Sequence, residues 1–267
     1  MVKSMTTVAS YGGGVNSTAM LIGMQERGER VDLILFADTG GEVPETYSYV
    51  QRFSKWLVAN GMPEITPVWK TTTRAGRVFG AGERLTLEQY CLGMGTLPSI
   101  AYGMKSCSLK FKREPQDKYI KTWAPAIEAL GRGEKLTRLI GFDAGEPWRA
   151  VESPDEKFTN RYPLIEWGWD REECVEAIIR AGLCVPPKSS CFFCPNMKEI
   201  EILQLRDKHP ELLERALTME KNAPTHGSIR GLGRDLAWSQ IIQYDADQMA
   251  FLPPREREMP CECYDGE

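Results

Sequence analysis

The feature that most constrains this chain is an alternation of strand, glycine turn, helix and strand within its first forty residues. Residues 5–10 (MTTVAS) are rich in β-formers and run into three consecutive glycines, Gly12, Gly13 and Gly14. Residues 16–27 then place Met20, Leu21 and Met24 at helical spacing. Residues 31–37 (VDLILFA) form a nearly continuous apolar run, as a parallel strand covered on both faces requires. Pro44 opens a second helix at a first-turn position and Gly61 closes it near residue 60. Residues 65–69 and 137–142 (TRLIGF) read as further strands, the latter followed by the acidic loop of Asp143 and Glu146. Strands alternating with helices imply a parallel sheet with right-handed crossovers. Ligands of such sheets bind beyond the carboxyl ends of the strands, where the glycines, Asp38 and Asp143 fall.

The expected fold class is therefore α/β, a Rossmann-like parallel sheet flanked by helices, with a mainly helical C-terminal lobe. Residues 1–150 are expected to form the nucleotide-sized α/β domain and residues 151–267 the lobe. Residues 151–163 are polar and turn-rich, a candidate linker, and helices are expected over 170–181 and 196–221. With 33 Lys and Arg against 37 Asp and Glu the formal charge is −4, which excludes a generally basic nucleic-acid coat but not a local basic groove. No apolar run reaches the roughly 18 residues of a membrane span. Eight cysteines in 267 residues are too sparse for a disulfide scaffold, and the first ten residues carry no apolar signal segment; a reduced, cytoplasmic setting is expected.

The segment SYGGGVNST (residues 10–18) joins the first strand to the first helix. Its backbone N–H groups and the positive helix end converge on one point, a geometry that binds phosphate. Glycines permit close approach of the anion, Asn16 is placed to cap the helix, and the hydroxyls of Ser10, Ser17 and Thr18 add donors. No Gly-Lys-Ser/Thr follows, so this is not a Walker loop, and Ser17 occupies the third glycine position of a dinucleotide fingerprint. Asp38, at a strand end facing the loop, suits a ribose hydroxyl or a metal; the plain alternative is a helix cap. Lys110, Lys112, Arg113 and Arg149 are the candidate cationic partners, although a solvated face accounts equally for the basic stretch 105–121.

YGGGVNST resembles the pyrophosphate loop of the PP-loop adenine-nucleotide α-hydrolase superfamily, which includes the phosphoadenylyl-sulfate (PAPS) reductases. Residues 36–46 (FADTGGEVPET) are similar to its second-strand segment. Residues 107–112 (CSLKFK), with Pro115 nearby, resemble its Cys-Lys-Pro segment, and residues 162–167 (YPLIEW) the segment before its C-terminal helices. Gly12 stands where that family usually has Ser, and Asn16 where it has Asp. Asn16 thereby removes a charge that would favour magnesium. The resemblance implies an enzyme using ATP or phosphoadenylyl sulfate, with Ser10, Gly12, Gly13, Gly14, Asn16, Ser17, Thr18, Asp38, Lys110 and Arg149 around the nucleotide.

Cys191 and Cys194 form a CxxC followed by proline, and Cys107 lies upstream beside Lys105 and Lys110. A CxxC alone fits a redox pair, a zinc half-site or an iron–sulfur ligand set. The resemblance adds weight to a 4Fe-4S cluster on Cys107, Cys191 and Cys194, with Ser106 where reductases that carry a cluster have another cysteine. Zinc held by these three and Cys184 is the alternative, and free structural thiols a third. Cys91 and Cys174 fall in helix-like segments and read as small buried hydrophobes. Glu262-Cys263 resembles the reductases' mobile tail, whose cysteine attacks the sulfonate; a disordered tail, or Cys261 or Cys263 as a fourth cluster ligand, stays open. His209 and His226 read as a capping and a turn residue, and Trp167 and Trp169, after a strand-like run, as packing residues. The leading expectation is sulfonate reduction completed by a thioredoxin-like donor. ATP-dependent thiolation of a nucleic-acid acceptor is the second, and a zinc-stabilised nucleic-acid-binding module without catalysis the third.

Overall fold

In the computed structural model, described for residues 5–72, 82–224, 230–233 and 236–249, the elements follow in the order β1 (Thr7–Tyr11), α1 (Val15–Glu26), β2 (Leu33–Ala37), α2 (Pro44–Ala59), β3 (Ile65–Val68), α3 (Leu87–Met94) and α4 (Ser106–Ser108). A π-helical turn, Leu109–Arg113, then leads into α5 (Glu114–Ile120), α6 (Ala124–Gly131), β4 (Leu136–Ile140), β5 (Phe158–Arg161), α7 (Pro163–Trp167) and α8 (Arg171–Arg180). Three more helices complete the order: α9 (Glu199–Lys208), α10 (Pro210–Asn222) and α11 (Trp238–Met249). The chain divides into two compact units, one of Met1–Thr86 with Ser108–Cys191 and one of Leu87–Cys107 with Phe192–Glu267. β5, α7 and α8, which lie beyond the composition change at residue 151, belong to the first unit.

The first unit is a Rossmann-like α/β fold: a five-stranded, all-parallel sheet in the order β3-β2-β1-β4-β5. Its strands alternate faces with period two. Ala9, Tyr11, Ile34 and Phe36 face one way and join Met20, Leu21 and Met24 of α1, Tyr49, Phe53 and Leu57 of α2, and Cys174 and Ile178 of α8. Val8, Leu33, Leu35 and Ala37 face the other way, onto Ile120, Ala126 and Ala129. β2 is thus covered on both sides, which is why all five of its residues are buried and why the sequence reads there as a continuous apolar run. Each Leu, Ile or Phe so buried contributes about 1.5–3 kcal/mol.

Several sequence expectations carry over with small shifts of boundary. Pro44 is at the start of α2. Asp170 caps α8, accepting from the Glu172 and Glu173 N–H groups at 2.7 and 3.3 Å, while Glu173 reaches back to the Asp170 N–H at 3.0 Å. Two expectations are corrected. Residues 151–163 are not a linker, because β5 within them pairs in parallel with β4. The single helix expected over 196–221 is two, broken at His209, whose backbone (φ −138°, ψ 63°) is extended by the following Pro210. Trp167 ends a short helix rather than a strand; with Trp169 it packs edge to face at 5.2 Å.

In the second unit, Arg215 of α10 pairs with Glu88 of α3, with a 3.0 Å Nε–Oε1 bond. Glu220 of α10 is buried and accepts from the N–H groups of Leu232 (2.8 Å), Trp238 (2.8 Å) and Ser239 (3.0 Å). The α10 carboxylate therefore satisfies the first donors of α11, while Gln240 of α11 accepts from the preceding Ala237 N–H at 3.2 Å. Cys91 is buried in α3, and burial pushes its thiol up to about 12, with Cys107 adding to the shift. Among the described residues no helix is long and apolar enough to cross a membrane.

Gly23 of α1 lies under the Trp167 ring: a Cβ there would come within 2.9 Å of Cη2 and nearer still to Cζ3. Helix propensity favours alanine over glycine by about 1 kcal/mol, whereas overpacking costs about 1–3 kcal/mol. Gly23→Ala is expected to lower the unfolding free energy by about 1 kcal/mol in urea titration. Trp167→Leu in the Gly23→Ala background is expected to recover part of that loss, because the smaller side chain removes the overlap.

Candidate functional site

β1 ends at Tyr11 and α1 begins at Val15, so the three glycines make the whole turn. Gly13 has φ +76°, a region that L side chains enter only at a cost. A Cβ at Gly13 would also stand 3.3 Å from Thr46 Cγ2 and 3.5 Å from the Phe36 ring. Gly14, extended at φ −106° and ψ 177°, is the residue before the helix, and no side chain caps it. The cap expected at Asn16 is therefore not made. The leading N–H groups of α1 sit beyond the carboxyl end of β1, at the positive end of the helix dipole.

The polar side chains of the loop serve as braces. Ser10 donates to Gln116 Oε1 at 2.8 Å. Ser17 donates to the Gly14 carbonyl at 3.1 Å and accepts from the Gly12 N–H at 3.2 Å. Thr18 pairs with the Tyr11 hydroxyl at 3.3 Å. Asn16 donates to Asp143 Oδ2 at 2.8 Å and accepts from Arg171 Nη1 at 3.0 Å. An anion at this turn would meet main-chain N–H groups.

Asp38 follows β2. Its Oδ1 accepts from the Gly40 N–H at 2.7 Å and the Tyr47 hydroxyl at 2.8 Å, and Oδ2 pairs with Arg84. Burial, and then the bond to Asp38, hold the Tyr47 hydroxyl protonated well above the usual tyrosine range. Four residues on, the Glu42 side chain is wholly buried, with Lys112 Nζ 3.6 Å from its Oε1. The Ser189 hydroxyl is bonded to the Gly12 carbonyl and stands 3.4 Å from Glu42 Oε2. Burial raises the Glu42 pKa above the usual carboxylate range, and Lys112 works against that shift. Lys112 and the exposed Lys110 both ride on the π-helical turn, the kind of local departure that recurs at functional sites.

Arg149, in the loop after β4, bonds Glu146 at 2.6 Å and lies 3.9 Å over the Phe142 ring, which stacks on Tyr162. Cys191 is buried at the end of the first unit, its Sγ 3.2 Å from Thr39 Oγ1. Cys107 and Cys194 belong to the second unit and are half-buried, as is Cys184 in the first. Among the described residues no three His, Cys, Asp or Glu side chains gather as a metal ion requires. Cys174 behaves as expected, a buried thiol pushed up to about 12 by desolvation. Cys261, Cys263 and His226 lie outside the described residues.

The sequence pattern singles out the glycines, Asp38 and Lys112, but not Glu42, Tyr47, Arg84, Gln116, Arg171 or Ser189 as site residues. Glu42 sits inside the segment 36–46, yet a lone glutamate carries no mark of burial. The chain matches no known protein-family model, and no curated protein matches it either.

The buried Glu42 makes stability depend on pH. Because its folded-state pKa lies above the ordinary 4.5, its protonated form contributes stability that is complete below that value. The contribution is lost as pH rises through the folded pKa. Relative to Glu42→Gln, the wild-type chain is therefore expected to lose unfolding free energy as pH rises from the ordinary carboxylate range. Urea titrations across that range measure it, and a constant difference would show that Glu42 titrates normally.

Proposed function

We propose that this chain binds an adenine nucleotide, with its phosphates on the glycine turn at the start of α1, and carries out sulfur chemistry of the phosphoadenylyl-sulfate reductase type. The observation that carries the reading is the uncapped N-terminus of α1, preceded by Gly13 at φ +76° and Gly14 in extended form. Helix N–H groups, a favourable dipole and the absence of a Cβ at the turn are what a phosphate or sulfate ester needs. Lys112 is the cation best placed to join them, since its partner Glu42 approaches Gly12 through Ser189. Asp38, held by Tyr47, Gly40 and Arg84, is suited to accept from a ribose hydroxyl. The choice of sulfur chemistry rests on the resemblance of residues 10–18, 36–46 and 107–112.

In the proposed reaction the Cys263 thiolate attacks the sulfonate sulfur of phosphoadenylyl sulfate. An S–S bond forms, the S–O bond to the nucleotide breaks, and adenosine bisphosphate leaves with the electron pair. A dithiol of the thioredoxin class then attacks the cysteine sulfur, sulfite departs, and the dithiol ends as a disulfide. Thiols alone carry the electrons in these steps.

Gly13→Ala and Lys112→Ala are each expected to weaken phosphoadenylyl-sulfate binding by about tenfold or more in calorimetric titration, equivalent to about 1.4 kcal/mol. With a dithiol present, sulfite release is expected from the wild type and not from Cys263→Ser. Release of AMP and pyrophosphate from ATP only when an acceptor RNA or DNA is added would replace reduction by sulfur transfer. Failure of both nucleotides to bind would overturn the phosphate site itself.

A further inference from the structure

Within the first unit, α1 and α8 run side by side in the same direction. Asn16 meets Arg171 at 3.0 Å where they begin, and Glu26 meets Arg180 at 3.0 Å where they end. Both helix starts therefore lie at the carboxyl end of the sheet. A relay of three side chains joins them. Asp143, buried after β4, accepts from the Gly145 N–H at 3.0 Å through Oδ1 and from Asn16 Nδ2 at 2.8 Å through Oδ2. Asn16 Oδ1 in turn accepts from Arg171 Nη1. A carboxylate only accepts and a guanidinium only donates, so the Asn16 amide is held in one orientation. An aspartate at position 16 would set two carboxylates at hydrogen-bond distance; asparagine joins the buried anion to the exposed cation.

This donor set does not suit the magnesium ion that a resemblance to ATP-cleaving PP-loop enzymes implies. Magnesium takes oxygen ligands, carboxylates above all, in a near-octahedral array. Both Asp143 oxygens and Asn16 Oδ1 are already bound by N–H groups, and Asp38 is held by Gly40, Tyr47 and Arg84. A metal would have to break the relay and displace a guanidinium. Arg171 is exposed, and among the described residues its hydrogen-bond acceptor is the neutral Asn16 Oδ1 and no carboxylate. Lys112, Arg84 and Arg149, by contrast, each stand by a carboxylate.

We infer that Arg171 takes the place of a divalent cation at the glycine turn, so that the site holds a phosphate-type anion without magnesium. This rests on the glycine turn as the phosphate site. Asn16 is the second residue of α1, so a guanidinium bonded to its side chain lies close to the leading N–H groups of the helix. The arginine fork matches two oxygens of one phosphate. Turning onto the anion costs Arg171 a bond to an amide, whereas Lys112 and Arg84 must leave a carboxylate.

The test is calorimetric titration of the full chain with inorganic pyrophosphate, first in EDTA and then in excess magnesium. Pyrophosphate is expected to bind in EDTA, with no tightening when magnesium is added. Arg171→Ala and Arg171→Met are each expected to weaken binding by at least about tenfold and to flatten its dependence on salt. Arg171→Lys is expected to recover part of the affinity, since it restores the charge without the fork. Circular dichroism and melting temperature establish that each variant is folded. Binding that appears only with magnesium, or folded Arg171→Ala and Arg171→Met that both bind as the wild type does, would overturn the role of Arg171 and leave the phosphate site standing. No binding of pyrophosphate in either condition would remove the phosphate site itself, and this inference with it.

Discussion

A Cβ on Gly141 would come within 3.0 Å of Ser17 Cα and 3.1 Å of the Asn16 carbonyl. Only a residue without a side chain lets β4 end against the first turn of α1, and the carboxyl end of the sheet is arranged around that contact. β1 and β4 are neighbours in register, Ser10 opposite Ile140. From β1 the chain leaves through α1 toward β2 on one side of the sheet order, and from β4 it continues to β5 on the other. The crevice of an open α/β sheet forms where the connections diverge. In this chain the helix start is held within it by the backbone of β4 and by Asp143, which takes the Asn16 amide.

Holding the turn in this way has an energetic logic. A positive φ at Gly13 costs little because the residue is glycine. Hydrogen bonds from Ser17, Thr18, Asn16 and Ser189 each contribute a net 0.5–1.5 kcal/mol or so, together enough to offset the conformational freedom that one or two loop residues surrender, about 1–2 kcal/mol each. The turn is consequently preformed, with its polar side chains engaged in holding its own shape. The main-chain donors at the start of α1 are left without a side-chain cap, and a ligand meeting them does not have to order them first.

The sheet is legible in the sequence where burial is two-sided and local. VDLILFA reads as β2 because both faces are covered, and the start signals of α2 and α8 act within one turn. β5 escapes the pattern because an edge strand of sequence FTNR, only partly buried, carries no apolar period. Its place comes from pairing with β4. The break at His209 is written in Pro210, but the helical spacing on either side masks it. The site divides in the same manner. Gly13 and Asp38 lie at the ends of strands that the pattern locates. Glu42 acquires its character from Lys112 and Ser189, and Asn16 from Asp143 and Arg171, partners 70 to 155 positions away. The cysteines show the converse: CxxC is a short-range pattern, whereas gathering Cys107 with it depends on chain placement across 84 residues, about which spacing is silent.

Charge bears on how an acidic chain would hold the polyanion proposed for the turn. With a formal charge of −4, the protein has no general attraction for phosphate, and the cations near the turn already have acceptors. Lys112 stands by Glu42, Arg84 by Asp38, and Arg171 by the side-chain Oδ1 of Asn16. For Lys112 and Arg84 an incoming anion competes with a carboxylate already in place, so part of each new attraction is offset by the pair given up. The uncapped N–H groups of α1 have no such partner to release. Their partial positive charge is fixed in the backbone, lies within one helical turn of the ligand, and falls off beyond it. In the proposed complex, selectivity at this end of the sheet would follow from shape and main-chain donors, with Lys112 adding charge once the ligand is seated.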